Sequence, residues 1–248
     1  MDETTVAPEE VVEQPAQDSP RVPLWEDFLD IFYAPTKVFE RRNGAGFGLV
    51  LFLVVVLMAV FYFAMQHVLA GAFQAEMQRG FEAAAAKGNQ MTPEQMAAAQ
   101  KMGSTFGLIG FVIATPIAVF LVGVLLWAFG KMFGSAATLS GAVLIATYAQ
   151  LPKLLGEIAA VVEGLVSSPP NLMAASFSPA RFLDPETART MLMLAARFDV
   201  FVLWSTVLLA IGLHVIGKVP KAQAYFTAFL VWVVAFVPTL IGAAMGRM

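Results

Sequence analysis

The residues best suited to chemistry in this sequence lie inside one of its most apolar stretches. Lys153 and Glu157 are ionisable, and Tyr148 and Gln150 close by can form hydrogen bonds. An ionisable side chain is costly to place among lipid chains, so such a residue is by default a candidate functional site. Because Lys153 and Glu157 are four residues apart, they share one face of a helix and could form an ion pair.

Two interpretations of this pair stay open. In the functional one, the pair relays a proton or an ion, or clamps a partner helix, with Tyr148 and Gln150 adding hydrogen bonds. In the structural one, the two charges neutralise each other, reach toward an interface and only fix the tilt of a long helix. The span could also end near Pro152, which would leave the pair at the interface.

Sequence patterns of several enzyme classes are missing. There is no His-Glu-x-x-His zinc motif, no Gly-x-Gly-Asp pair of an intramembrane aspartyl protease and no Walker phosphate-binding loop. Cysteine is absent, which excludes disulfides and thiolate metal sites. No clustered basic face suited to nucleic acid is present. We therefore expect a non-enzymatic protein with no catalytic residues, no cofactor, no metal and no nucleic-acid partner.

The elements that position these residues are predicted to be membrane helices. Of the 248 residues, 58% are hydrophobic and only 13% are charged. The apolar residues form runs of about twenty or more, which is the length that crosses a bilayer as a helix. We predict an all-α integral membrane protein with five transmembrane helices, kinked at Pro116 in the second, at about 46–70, 104–129, 138–166, 198–217 and 225–245.

The chain before the first span divides into a tail and a short amphipathic segment. Residues 1–22 are acidic and interrupted by prolines, which predicts a disordered acidic cytoplasmic tail. Residues 23–43 form a predicted helix that Pro35 should break, followed by a basic cluster. This segment either lies in the interface plane or packs its aromatic face on the membrane bundle. The aromatic face comprises Trp25, Phe28, Leu29 and Phe32, and the opposite face comprises Glu26, Asp27 and Asp30.

A repeat is predicted between spans 2–3 and spans 4–5. The segment 148–156 aligns with 234–242, and four of the nine positions are identical: Ala149/Ala235, Pro152/Pro238, Leu154/Leu240 and Gly156/Gly242. Each copy also has an upstream helix start with proline at its first position, after Thr92 or Asp184, and the second of these helices could run unbroken into the fourth span. Proline-interrupted spans in corresponding halves are typical of a central binding site in transporters.

The distribution of basic residues predicts the orientation. The first span is preceded by Lys37, Arg41 and Arg42, and the two short turns contain lysines without acids, Lys131 in one and Lys218 with Lys221 in the other. Basic residues in short loops mark the cytoplasmic side. We predict a cytoplasmic N-terminus in a bacterial cytoplasmic (inner) membrane.

These features together resemble the Ypt-interacting-protein (YIP) domain family. The resemblance covers about residues 25–245 and is carried by Tyr33-Ala-Pro35-Thr-Lys-Val-Phe39, the five spans, and Tyr148-Ala-x-Leu-Pro152-x-Leu-Leu-Gly156. Eukaryotic members of that family bind Rab-type GTPases and act in vesicle traffic. The alanine-rich loops and short tail indicate a bacterial-type member, which weakens the case for a GTPase partner.

The resemblance and the residues lead to two functional hypotheses. The first is a scaffold or interaction partner for other membrane components, embedded in the lipid bilayer and able to form homo-oligomers. The second is a small transporter or permeation accessory that uses the region of Lys153 and Glu157. The candidate functional or structural residues are Tyr148, Gln150, Pro152, Lys153, Gly156, Glu157, Pro238 and Gly242.

Overall fold

The computed structural model describes residues 23–86, 88, 92–184, 187, 189–237 and 241, and within them the chain is helical without strands. The predicted tail, 1–22, lies outside the described residues. The α-helices are α1 (Leu24–Asp30), α2 (Pro35–Arg41), α3 (Gly48–Val68), α4 (Ala70–Ala86), α5 (Pro93–Met132), α6 (Leu139–Tyr148), α7 (Leu151–Val166), α8 (Arg189–Ala196), α9 (Val200–Gly217) and α10 (Lys221–Val234).

Three helices of the described chain are long and apolar enough to cross a membrane: α3, the part of α5 from 106 to 132, and α9. Half of α9 is buried inside the protein, whereas α3 and α5 are buried over 17% and 11% of their apolar windows. Because lipid replaces water as the solvent of such surfaces, α9 is the central helix and α3 and α5 lie at the periphery. Five spans are not confirmed within the described residues, and the predicted fifth span extends beyond them.

The predicted third span is broken into two helices. α6 ends at Tyr148 and α7 begins at Leu151, with Ala149 and Gln150 between them. The break follows from Pro152, which has no N–H to donate and whose ring clashes with the carbonyl four residues earlier. The Gln150 side chain donates to the carbonyl of Ala146 (3.2 Å) and so satisfies a backbone acceptor near the break. The predicted third span, 138–166, therefore consists of two helices that meet two residues before Pro152.

The fourth span is a separate helix and does not continue from the helix before it. α8 ends at Ala196, and Asp199 caps the start of α9 by accepting from the backbone N–H groups of Phe201 (2.8 Å) and Val202 (3.4 Å). The unbroken helix expected here is wrong because this N-cap starts a new helix. Arg197, in the linker, donates to the carbonyl of Trp232 in α10 (2.7 Å) and so fastens the linker to the last helix.

The two aligned segments of the predicted repeat share one observable feature. α6 ends with Ala149 and α10 ends with Ala235 in the capping position, and these two residues are partners in the sequence alignment. Pro238 and Gly242 lie outside the described residues, so the repeat stays a prediction. α10 is shorter than the predicted fifth span over its described part.

The core forms where α5, α6 and α9 approach closely at glycines. A Cβ placed on Gly123 of α5 would lie 2.8 Å from the Cα of Val143 in α6, and one on Gly212 of α9 would lie 2.4 Å from Ile145. Side chains at these positions would push the helices apart, so glycine permits the contact. The turns after α5 and α9 meet at one end of the bundle, where the N–H of Ala136 donates to the carbonyl of Gly217 (2.8 Å).

The N-terminal hairpin, α1 and α2, packs on this bundle. Pro35 begins α2, as a proline at the first helical position can. Ile31, Val38 and Phe39 are fully buried, and α2 packs against α9. Two placements were open for this segment: in the interface plane, or with its aromatic face on the bundle. In the structure, some of the aromatic residues of α1 pack against the bundle.

Candidate functional site

The structure places the predicted site residues around the break between α6 and α7. Tyr148 is fully buried at the end of α6, and Gln150 is buried in the break itself. Gly156 faces the ring of Phe201 in α9, because a Cβ there would lie 2.8 Å from Cδ2 of that ring. Pro152 stands at the second position of α7.

Lys153 and Glu157 do not form the ion pair that their spacing permits. No contact within 4.0 Å joins their charged atoms among the ion pairs of the described residues. Lys153 Nζ instead donates to Oε1 of Gln150 (3.1 Å), while Oε2 of Glu157 is buried without a hydrogen-bond partner. The ion pair of the structural interpretation is therefore not formed in this structure, where the lysine donates to Gln150 instead.

Both side chains border a cavity of about 450 Å³ between α3, α5, α7, α9 and the loop after α7. Its wall is mostly apolar, and Asp199 is the other acidic residue on it. Cavities of this size, apolar with a few polar groups, are typical of small-ligand sites. The arrangement can bind a ligand that supplies a hydrogen-bond donor to Glu157.

A second polar cluster, which sequence reasoning missed, centres on Asp27. Its carboxylate is fully buried and accepts from Nε of Arg41 on Oδ1 (2.6 Å) and from Nε of Arg42 on Oδ2 (2.5 Å). Tyr148 donates its hydroxyl proton to Oδ2 of Asp27 (3.0 Å). We call Asp27, Arg41, Arg42 and Tyr148 the hairpin network, because it fastens the N-terminal hairpin to α6.

The hairpin network corrects the predicted orientation of α1. Asp27 was placed on the exposed face, yet it is buried, while Trp25 and Leu29 of the predicted apolar face are 63% and 55% exposed. Two arginines and a tyrosine hydroxyl interact with the buried charge, and these interactions offset the free-energy cost of removing it from water. The exposed Trp25, Leu29 and Tyr33, which we call the outer strip, face away from the bundle.

Aromatic rings enclose the tyrosine of the network. Phe28 and Phe39 meet the Tyr148 ring edge to face, at centroid distances of 6.4 and 6.1 Å. Phe32 makes the same kind of contact with Trp204 in α9, at 5.3 Å. Such pairs add to the free energy of apolar burial. The hairpin is thus held by charge and by packing at once.

The solvent side of the network extends to Asp30. It accepts from the Tyr33 hydroxyl (2.6 Å) and also pairs with Arg41. The hydrogen bond from Tyr33, followed by that from Arg41, holds the pKa of the Asp30 carboxyl below its ordinary value of 3.8. The same hydrogen bond raises the pKa of Tyr33 above 10.0.

Signals for the hairpin network were present in the sequence but ambiguous. Asp27 is followed fourteen and fifteen residues later by Arg41 and Arg42. Neighbouring arginines at a membrane boundary are also typical of contact with anionic lipid. Tyr148 was singled out as a candidate, although its hydrogen bond goes to Asp27 and not to the lysine and glutamate below it. In the described residues no group of three or more metal-binding side chains assembles.

Comparison with known proteins identifies the family of this chain. Residues 29–242 match the Yip1 domain. The chain is also 26% identical over 144 residues to membrane protein YknW of Bacillus subtilis, a match that covers 57% of this chain and 60% of that relative. No solved structure matches the chain. Since the Yip1 domain accounts for most of its length, this membrane protein belongs to the Yip1 domain family.

Proposed function

We propose that this Yip1-family membrane protein acts without catalysis, as a scaffold that binds other membrane components. The observation that carries the proposal is the hairpin network, which fastens α1 and α2 to the bundle through the fully buried Asp27. Burying a charge is costly unless it is paired and hydrogen-bonded, and the partners of Asp27 hold α1 and α2 in one arrangement. Here the fixed arrangement presents the outer strip, with Tyr33 74% exposed, at the surface.

The orientation that we propose for this scaffold is a cytoplasmic N-terminus in a bacterial cytoplasmic membrane. The turns after α5 and α9 meet at one end of the bundle, with Lys131 in the last turn of α5 and Lys218 directly after α9. This common end supports counting the two turns together under the positive-inside rule. The acidic segment 1–22, which precedes the hairpin, would then be available to cytoplasmic partners.

The scaffold proposal is tested by capturing the tagged protein from native membranes in a mild detergent and quantifying co-purifying proteins. A truncation lacking 1–42 would remove Ile31, Val38 and Phe39, which are fully buried, and would damage the fold. The informative variants are therefore a truncation lacking 1–22 and the double substitution Trp25→Ser with Leu29→Ser.

A partner retained by the native chain and lost from either variant supports the scaffold and locates its docking surface. The matched control is Phe182→Ser, which also replaces an exposed apolar side chain (84% exposed) but lies in the loop after α7. A partner set unchanged in both hairpin variants would contradict the proposal.

A second candidate function, transport or assistance to permeation, is favoured by the cavity beside Lys153 and Glu157. A carboxylate oxygen without a partner beside a cavity could carry a proton or hold a cation. The flux of protons or cations into liposomes should be lost when Lys153→Met is combined with Glu157→Gln, while the protein still assembles. Failure of this double variant to fold would indicate a structural role for the pair.

A further inference from the structure

The cavity between α3, α5, α7 and α9 contains an acceptor that the protein leaves unused. Oε2 of Glu157 is buried and has no hydrogen-bond partner, and its side chain borders the cavity of about 450 Å³. A buried polar atom without a partner costs free energy, and each one in a native structure calls for an explanation. One explanation that the geometry allows is a ligand in the cavity that donates a hydrogen bond to this oxygen.

The carboxylate of the other acidic residue on the cavity wall has its hydrogen bonds supplied by the protein. Asp199 accepts from three backbone N–H groups: those of Phe177 (3.1 Å), Phe201 (2.8 Å) and Val202 (3.4 Å). Its two oxygens are used in fixing the loop after α7 and the start of α9. Of the two carboxylates on this wall, Glu157 is therefore the one with an oxygen free for a ligand.

The charge pattern of the wall indicates what kind of donor fits. Lys153 also borders the cavity, and its ammonium group gives one hydrogen bond to Gln150 (3.1 Å), which leaves further donors. On a helix, side chains four residues apart begin about 5–6 Å from each other. A hydrogen-bond donor and an acceptor that are not paired with each other therefore stand side by side, which complements a ligand with a phosphate acceptor and an ammonium donor.

Apart from Ser176, the remaining wall is apolar and suits a ligand that belongs to the bilayer. Its side chains come from four helices and a loop, and they include Met58, Met65, Leu69, Phe111, Leu172 and Phe177. A free polar metabolite would gain nothing from these surfaces, whereas the glycerol and first methylene groups of a phospholipid would bury apolar area against them.

We propose that this cavity binds the head group of an ethanolamine phospholipid. The primary ammonium group donates a hydrogen bond to Oε2 of Glu157, and the phosphate accepts from Lys153. The proposal names a ligand for the site of the second candidate function, and it stands or falls on binding alone, without any requirement for transport or for a protein partner.

The test compares two phospholipids that differ only in their capacity to donate. Phosphatidylethanolamine and phosphatidylcholine share the same charges, but the choline nitrogen has no N–H. The full chain is placed in nanodiscs with equal amounts of the two lipids and identical acyl chains, and the lipids that remain bound after transfer to detergent are quantified by native mass spectrometry. We expect phosphatidylethanolamine to be enriched about tenfold, the scale of one hydrogen bond to a charged group.

Two variants approach the site independently. Glu157→Gln keeps the size of the side chain and should lower the preference between the lipids severalfold, because a neutral amide oxygen is a weaker acceptor for an ammonium group than a carboxylate. Ala160→Leu, on the same wall, fills the cavity and should reduce binding of both while Glu157 is intact. Glu163→Gln is the matched control, since Glu163 of α7 pairs with Arg181 (2.7 Å) and is not part of the cavity wall; the lipid preference should be unchanged.

Several results would overturn the proposal. Equal binding of the two lipids by the native chain would do so, as would an unchanged preference in Glu157→Gln or undiminished binding of both lipids by Ala160→Leu. Displacement of the bound lipid by free phosphoethanolamine at equal concentration would show that the occupant is a soluble molecule and not a lipid.

Discussion

Replacing Asp27 by asparagine should detach the N-terminal hairpin from the bundle at a lower temperature. Removing one partner of a buried ion pair costs about 3–5 kcal/mol, because the other charge is left without compensation. The side chains of Arg41 and Arg42 are 25% and 20% exposed, and Arg41 keeps Asp30 as a partner. We therefore expect the lower end, about 3 kcal/mol for Asp27→Asn.

The contribution of the tyrosine hydroxyl can be separated from that of the arginines. Tyr148→Phe removes one hydrogen bond to a charged group and should cost about 1.5 kcal/mol. In the Asp27→Asn background the hydroxyl no longer faces a carboxylate. The loss of stability in the double variant should therefore be about 1 kcal/mol smaller than the sum of the losses in the two single variants. Additive losses would show that the hydroxyl and the carboxylate are not energetically coupled.

The assay is thermal unfolding in one detergent, followed by tryptophan fluorescence. Trp204 packs against Phe32 of the hairpin (5.3 Å) and therefore reports detachment. For a chain of this length, about 3 kcal/mol corresponds to a fall of roughly 6–12 °C in the midpoint. Glu26→Gln is the control, because it makes the same charge change on the same helix. A midpoint for Asp27→Asn equal to that of this control would refute the stabilising role of the hairpin network.

Three further predictions concern packing, orientation and pH. Gly123→Ala should destabilise the protein by about 1–3 kcal/mol by overpacking, since its Cβ would collide with α6. Gly110→Ala, with open space around it, should leave the melting midpoint unchanged or raise it. Equal midpoints for these two variants would contradict the close approach of α5 to α6. In the cysteine-free chain, Phe182→Cys should react with an impermeant maleimide in intact cells and Lys218→Cys only after permeabilisation, and the reverse pattern would invert the orientation. Since the pKa of Asp30 is depressed, its stabilising contribution is present above its ordinary value of 3.8 and is lost as the pH falls through the lower folded value; the acid-induced fall in the midpoint should be smaller in Asp30→Asn.

Local signals in the sequence predicted the helix starts and ends well. The first span was expected at about 46–70 and the helix is Gly48–Val68. A helix starts after Thr92 as expected, with Thr92 and Gln95 forming a capping box, and Pro35 separates α1 from α2. In each case the determinant is a residue within a few positions of the boundary, so no tertiary information was needed.

The sites depend on contacts between distant residues, and these were not predictable. Asp27 and Tyr148 are 121 residues apart in the chain, and a helical-face pattern assigns any aspartate to solvent because it cannot show a compensating partner. The spacing of Lys153 and Glu157 permits an ion pair, yet it does not tell which of several acceptors the lysine uses. Gln150 takes it here.

The length of α5 has a consequence for the membrane around the protein. Its apolar part, 106–132, has 27 residues and is therefore about 40 Å long, against a hydrocarbon thickness of about 30 Å. The third predicted span can change direction at the break after Tyr148, but α5 continues through Pro116 as one helix. The excess length has to be met by tilt, by bending or by a thicker bilayer. Bilayer thickness thus becomes a variable that acts on the α5–α6 contact at Gly123, and the protein should be enriched in the thicker regions of a membrane.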